Sequence, residues 1–248
     1  MKTARNLLAR AFQKAAHLVD PSGGFIDITD DYVRLLCFEN AGLLDRGNLY
    51  SFDYAIRHLS STAPILEIGS FCGLSTNVLT HYKRKHGAKN LTITCDKWES
   101  EKGGIEPWKG SPITWADWDR FGRDSYIRNI QMFSPDDLPF TFEMTSDEFF
   151  AAWRDGCSAQ DVLGRTLPLG GPLSFCYVDG NHTYEYAKRD FVNCDAFLEV
   201  GGFILFDDSI NTQFDVYRVI PEVLACGRYK LVAKNPNHLF QKVRASTA

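Results

Sequence analysis

From Asn6 to His58 the apolar positions recur at intervals of three and four, as in Leu7, Leu8, Phe12, Ala15, Ala16 and Val19 and again in Leu35, Leu36 and Phe38, with Pro21-Ser22-Gly23-Gly24 as a break. That spacing lines apolar groups along one helical face, so residues 1–60 are expected to form a helical N-terminal extension. From Pro64 the texture changes. Pro64-Ile65-Leu66-Glu67-Ile68-Gly69 is a short apolar run closed by glycine, and Ser75 to Tyr82 suits a helix, which together predict strand, glycine turn and helix.

Further short runs at Leu91–Cys95, Phe140–Met144, Leu173–Val178 and Gly202–Phe206 are separated by helical or loop segments. Strands alternating with helices imply right-handed crossovers and a parallel sheet, and runs without in/out alternation suit strands covered on both faces. Tyr229–Lys234 and His238–Val243, joined by Asn235-Pro236-Asn237, predict a closing antiparallel hairpin. The expected fold is a doubly wound α/β domain over residues 61–248, a mostly parallel seven-stranded sheet with an antiparallel C-terminal hairpin. An insertion at about 97–139 holds Trp98, Trp108, Trp115 and Trp118 of the chain's five tryptophans. It reads either as a lid whose rings stack on a sugar or flat ring, or as the core of a larger insertion.

A chain of 248 residues, 44% hydrophobic and 23% charged, has room for one domain with a sizeable core. Its net charge of −4 argues against a nucleic-acid partner, which would need a surplus of Lys and Arg, and Lys83-Arg84-Lys85 reads as the solvated end of a helix. The seven cysteines are dispersed and form no C-x-x-C pair, so they read as buried thiols in a reducing compartment and not as disulfides or a zinc site. No run of about eighteen apolar residues and no apolar leader is present, so a cytoplasmic protein without membrane contact is expected.

The candidate chemistry sits at strand ends. In Glu67-Ile68-Gly69-Ser70-Phe71-Cys72-Gly73-Leu74-Ser75, glycines four apart let the backbone approach a ligand, while Phe71 and Leu74 stand where the dinucleotide fingerprint requires glycine. Asp96 ends the second strand, where doubly wound sheets place a carboxylate on ribose hydroxyls. Asp179 ends the fourth, and Asp207-Asp208 end the fifth. Three neighbouring carboxylates repel one another unless a cation, a proton or donors offset them, and all-oxygen ligation suits Mg²⁺ or Mn²⁺. Helix caps and loop hydrogen-bonders are the alternative reading of the same acids.

With these segments in hand the chain resembles the class I S-adenosylmethionine-dependent methyltransferases. Within them it is similar to the small-molecule O-methyltransferases, of sugar, macrolide and catechol type, whose fourth strand ends in Asp-Gly-x-His-x-Tyr. The resemblance spans about Pro64 to Val243 and rests on Glu67-x-Gly69-x-x-x-Gly73, Asp96, Asp179-Gly180-Asn181-His182-Thr183-Tyr184, Gly201 to Asp208 and the closing hairpin. It implies that Glu67, Gly69 and Gly73 surround the methionine part of S-adenosylmethionine, that Ser70, Ser75 and Asp179 also contact this cofactor, that Asp96 holds the ribose, that Ser146 lies beside adenine, and that Asp179, Asp207 and Asp208 hold the metal. Asn181 stands where some sugar-modifying relatives carry an acidic base, so His182, with Asp179, becomes the catalytic candidate; an imidazole, with an ordinary pKa of about 6.5, takes up a proton near neutrality. The acceptor is expected to be a small molecule with adjacent hydroxyls, and the N-terminal helices resemble extensions that cover a pocket or form a homodimer. A metal-independent route with His182 alone, a nicotinamide-dependent oxidoreductase and a non-catalytic nucleoside-binding module are the other readings.

Overall fold

Parallel strands buried on both faces need apolar residues at every position, and the structure, a computed structural model describing residues 30–99, 107 and 110–246, shows how the runs are used. The segments from Asn6 to Val19 and Pro21 to Gly24, and Trp108, lie outside the described residues. In chain order the strands are β1 (Ile65–Ile68), β2 (Thr92–Cys95), β3 (Phe140–Phe142), β4 (Ser158–Gln160), β5 (Thr166–Pro168), β6 (Leu173–Val178), β7 (Leu198–Phe206), β8 (Tyr229–Lys234) and β9 (His238–Lys242). Seven of them form one sheet in the order β3-β2-β1-β6-β7-β9-β8, while β4 and β5 form a separate hairpin that the sequence pattern does not announce. The first five strands of the sheet run parallel and β9 joins β7 antiparallel.

The helices are α1 (Asp31–Glu39), α2 (Asn48–Arg57), α3 (Leu74–His86), α4 (Trp115–Phe133), α5 (Ser146–Asp155), α6 (Tyr184–Phe197) and α7 (Ile220–Ala225). Strand residues of one parity, among them Leu66, Cys176 and Ile204, face α5, α6 and α7 through Phe149, Trp153, Phe191 and Val223. Those of the other parity, Ile65, Phe175, Tyr177, Phe203 and Leu205, meet Leu36, Phe52, Ile56 and Val78 of α1, α2 and α3. The described part of the N-terminal extension therefore shares a core with the sheet. None of the helices among the described residues is long and apolar enough to cross a membrane.

Two expectations are corrected here. Lys83 is not solvated: its side chain is 1% exposed, and its ammonium pairs with Asp137 at 2.7 Å and donates to Thr92 Oγ1 at 2.9 Å. The last turn of α3 points this residue inward, while Arg84 and Lys85 stay outside. All seven cysteines are free thiols, but only Cys72, Cys95, Cys176 and Cys194 are buried; Cys37 and Cys157 are exposed.

The sheet order reverses between β1 and β6, and a crevice opens at their carboxyl ends, where open α/β sheets bind ligands. Gly69 lets that crevice form: its φ is +81°, and a Cβ there would stand 2.0 Å from the Asp179 carbonyl oxygen. Gly69→Ala is expected to cost about 2 kcal/mol or more in urea unfolding, about 1–2 kcal/mol of it from the left-handed backbone alone. Unchanged stability would contradict the close approach of the two loops.

Candidate active site

The turn after β1 is held by an acid from the next strand. Asp96 Oδ2 accepts the backbone N–H groups of Ser70 and Phe71, each at 2.8 Å, and Oδ1 accepts that of Trp98 at 2.7 Å. Phe71 and Trp98 both adopt positive φ, 42° and 48°, a backbone state that costs energy for non-glycine residues and clusters at functional sites. The Trp98 indole donates to the Phe71 carbonyl at 2.8 Å, and the Phe71 ring stacks on Trp118 of α4 with centroids 4.9 Å apart. Two of the insertion's tryptophans thus brace the glycine turn.

Sheet parity brings the other acids together. Glu67, Tyr177, Asp179 and Asp207 continue the positions that face α2 and α3, and the backbone N–H of Asp179 bonds to Ile68 while that of Asp207 bonds to Val178. Asp179 and Asp207 therefore stand side by side at the ends of neighbouring strands. Tyr177 donates its hydroxyl to Asp179 Oδ2 at 2.9 Å. Asp207 Oδ1 accepts the amides of Asn48, at 2.6 Å, and Asn237. His182 completes the group, with Nε2 3.5 Å from Asp179 Oδ1, Nδ1 3.7 Å from Asp208 Oδ2, and its ring 4.6 Å from that of Phe214.

A cleft of about 350 Å³ is lined by Gly69, Ser70, Ser75, Asp96, Asp179, His182, Asp207 and Asp208 together with Gly42, Leu43 and Leu44 before α2. It shares Phe71, Asp96, His182 and Phe214 with a second cleft of about 540 Å³ walled by Trp98, Trp115 and Trp118. Gly73 (φ +85°) starts α3 beneath the first cleft. Ser146, in the first turn of α5, lines neither.

Burial pushes Asp179 up to about 8, with the charges of Asp208 and Glu67 adding to it and the Tyr177 hydrogen bond opposing it. Burial and the neighbouring Asp179 likewise raise Asp207 well above the carboxylate range. Asp96 is raised by burial against its three backbone donors. Glu67, fully buried, is pushed to about 7 by desolvation, against the hydroxyls of Ser75 and Thr76. Its Oε1 and His182 Nε2 are buried without a hydrogen-bond partner, an arrangement that ligand groups or water can complete. No group of three or more His, Cys, Asp or Glu side chains among the described residues is arranged to hold a metal ion. Sequence reasoning did not single out Asn48, Tyr177, Asn237, Phe214 or the Gly42–Leu44 segment. Only Tyr177 carried a signal, its position two residues before Asp179 on the same strand face.

Similar architectures occur among solved structures. An O-methyltransferase from Bacillus cereus in complex with SAH is 14% identical, with 94% of this chain and 97% of that one covered and a TM-score of 0.54. The O-methyltransferase TomG from Streptomyces achromogenes, involved in tomaymycin synthesis and solved with SAM, is 11% identical over 94% and 96% at 0.54. The O-methyltransferase NovP is 14% identical over 79% and 80% at 0.53. The sheet order and the hairpin define the Rossmann-like fold of class I S-adenosylmethionine-dependent methyltransferases. A family model described as a methyltransferase domain matches residues 66–209, more than half of the chain, and the chain belongs to that family.

The Glu67 shift has a measurable sign. The unfolded chain releases this proton near 4.5 and the folded chain near 7, so within that window folding takes up a proton and stability falls as pH rises. Glu67→Gln removes the effect, so the stability of wild type relative to the variant should fall between about pH 5 and pH 7 in urea unfolding, by at most about 1.4 kcal/mol per pH unit. A pH-independent difference would show that Glu67 is charged in the fold.

Proposed function

We propose that the protein is an S-adenosylmethionine-dependent O-methyltransferase that acts on a hydroxyl of a small-molecule acceptor, a sugar, glycoside or phenolic natural product, assisted by Mg²⁺ or Mn²⁺. The observation that carries this reading is the position of His182, an imidazole held between Asp179 and Asp208 at the junction of the two clefts. Methyl transfer forms an oxygen–carbon bond as the sulfonium–carbon bond breaks, and it needs a positioned, deprotonated oxygen. His182 takes the hydroxyl proton and Asp179 orients the ring. Gly69, Ser70, Gly73, Ser75 and Glu67 would border the methionine part, Asp96 the ribose, and the Ser146 turn the adenine.

Carboxylate oxygens suit a hard divalent cation and Asp179, Asp207 and Asp208 line one cleft, but as they stand no three such side chains among the described residues surround a point where a metal ion would sit. When bound, the cation would lower the pKa of the acceptor hydroxyl and fix two adjacent oxygens. Phe71, Trp115, Trp118 and Phe214 offer aromatic walls that exclude water from the junction. In the same reading residues 1–60 cover the pocket and serve a homodimer, residues 61–248 form the catalytic domain, and the seven unpaired cysteines suit a cytoplasmic setting.

With acceptors carrying adjacent hydroxyls, His182→Ala is expected to lower kcat by about 10²–10⁴-fold, followed as S-adenosylhomocysteine formed. EDTA should abolish wild-type turnover and Mg²⁺ restore it. Undiminished turnover in EDTA would leave His182 as the sole base without metal, and undiminished turnover of His182→Ala would remove it from the chemistry.

A further inference from the structure

The second cleft, of about 540 Å³, has a composition that methyl transfer itself does not call for. Three segments far apart in the chain each bring to it an aromatic ring followed at once by a carboxylate: Trp98-Glu99 after β2, Trp118-Asp119 near the start of α4, and Phe214-Asp215 beyond β7. Among the described residues no Lys or Arg lines either cleft. Arg218, 3.6 Å from Asp215, lies over the Tyr184 ring and lines neither. The three pairs are fixed relative to the proposed base. The Trp98 indole and the Trp118 ring both engage Phe71. The backbone N–H of Asp215 donates to the His182 carbonyl at 3.0 Å, and the Phe214 ring lies 4.6 Å from the imidazole.

An aromatic face carries partial negative charge and attracts a cation, and a carboxylate beside it supplies a full counter-charge and accepts the N–H groups of an ammonium. A neutral sugar or phenol would stack on the rings and leave the acids unused. An acceptor bearing phosphate or carboxylate would meet like charges, with no lining cation to offset them. We propose that the acceptor is an organic cation: a hydroxylated small molecule carrying a protonated amine, which lodges among the rings and carboxylates of the second cleft while its hydroxyl faces His182. The inference rests on the methyltransferase reading above and narrows its acceptor. It does not involve the divalent cation, because Glu99, Asp119 and Asp215 line the second cleft and not the one that Asp179, Asp207 and Asp208 line.

The test titrates two matched sets of probes by calorimetry into protein first saturated with S-adenosylhomocysteine. Dopamine, ethylcatechol and dihydroxyphenylacetate form one set, glucosamine, glucose and glucuronate the other; within each the members differ chiefly in charge at one position. In at least one set the amine is expected to bind about 10-fold tighter than its neutral analogue, and the acid not to bind. Glu99 and Asp215 are exposed, so Glu99→Gln and Asp215→Asn leave the core undisturbed. Each is expected to reduce the preference for the amine about 2–5-fold, with the affinity for S-adenosylhomocysteine unchanged. Equal affinity for amine and neutral members, tighter binding of the acids, no binding of either amine, or a preference unchanged in both variants would overturn the inference and leave the methyltransferase reading standing. Wild type that binds no S-adenosylhomocysteine in the first step would overturn that reading, and the inference with it.

Discussion

A carboxylate removed from water at the end of a strand must be given donors, a proton or a cation, and this requirement organises the whole carboxyl edge of the sheet. Each acid meets it differently. Asp96 takes three backbone N–H groups, and because two of them belong to Ser70 and Phe71, satisfying the acid and shaping the glycine turn are one event. Asp207 takes two side-chain amides, and Asp179 takes a tyrosine hydroxyl. Glu67 keeps one oxygen without a partner. The edge is therefore tied down wherever it only has to hold shape, while His182, which lines both clefts, keeps Nε2 without a hydrogen-bond partner.

The rest of the architecture delivers these groups. Alternating parity on strands that are apolar on both sides sends Glu67, Tyr177 and Asp207 to the α2 and α3 face. The aromatic insertion packs on the same face, its helix α4 against α3, and Trp98 and Trp118 hold Phe71 in a positive-φ conformation that it would not keep alone. Rigid strands thus carry the acids, and a packed helix fixes the turn between them.

Much of this was legible in the sequence, for physical reasons that differ by element. Doubly buried strands show as unbroken apolar runs, so β1, β2, β3, β6 and β7 stand where the runs lie, and the Asn-Pro-Asn turn marked the hairpin. The β4–β5 hairpin escaped because its residues are half exposed and carry no apolar pattern. Lys83 was misplaced because a basic triplet looks solvated until the carboxylate of Asp137, 54 positions away, is brought to its ammonium. Asn48 and Asn237 were invisible for the same reason: a lone amide has no local signature, and their partner lies 159 and 30 residues away. Ser146 was placed by the resemblance alone, and it lines neither of the two clefts.

The central proposal is that the crevice at the carboxyl ends of β1, β2 and β6 receives S-adenosylmethionine, with Asp96 on its ribose. Calorimetric titration of S-adenosylhomocysteine into the wild-type protein, with NAD⁺ as the comparison, tests it most directly. The account predicts saturable one-to-one binding of S-adenosylhomocysteine and none of NAD⁺; binding of NAD⁺ in place of S-adenosylhomocysteine, or of neither, would contradict it.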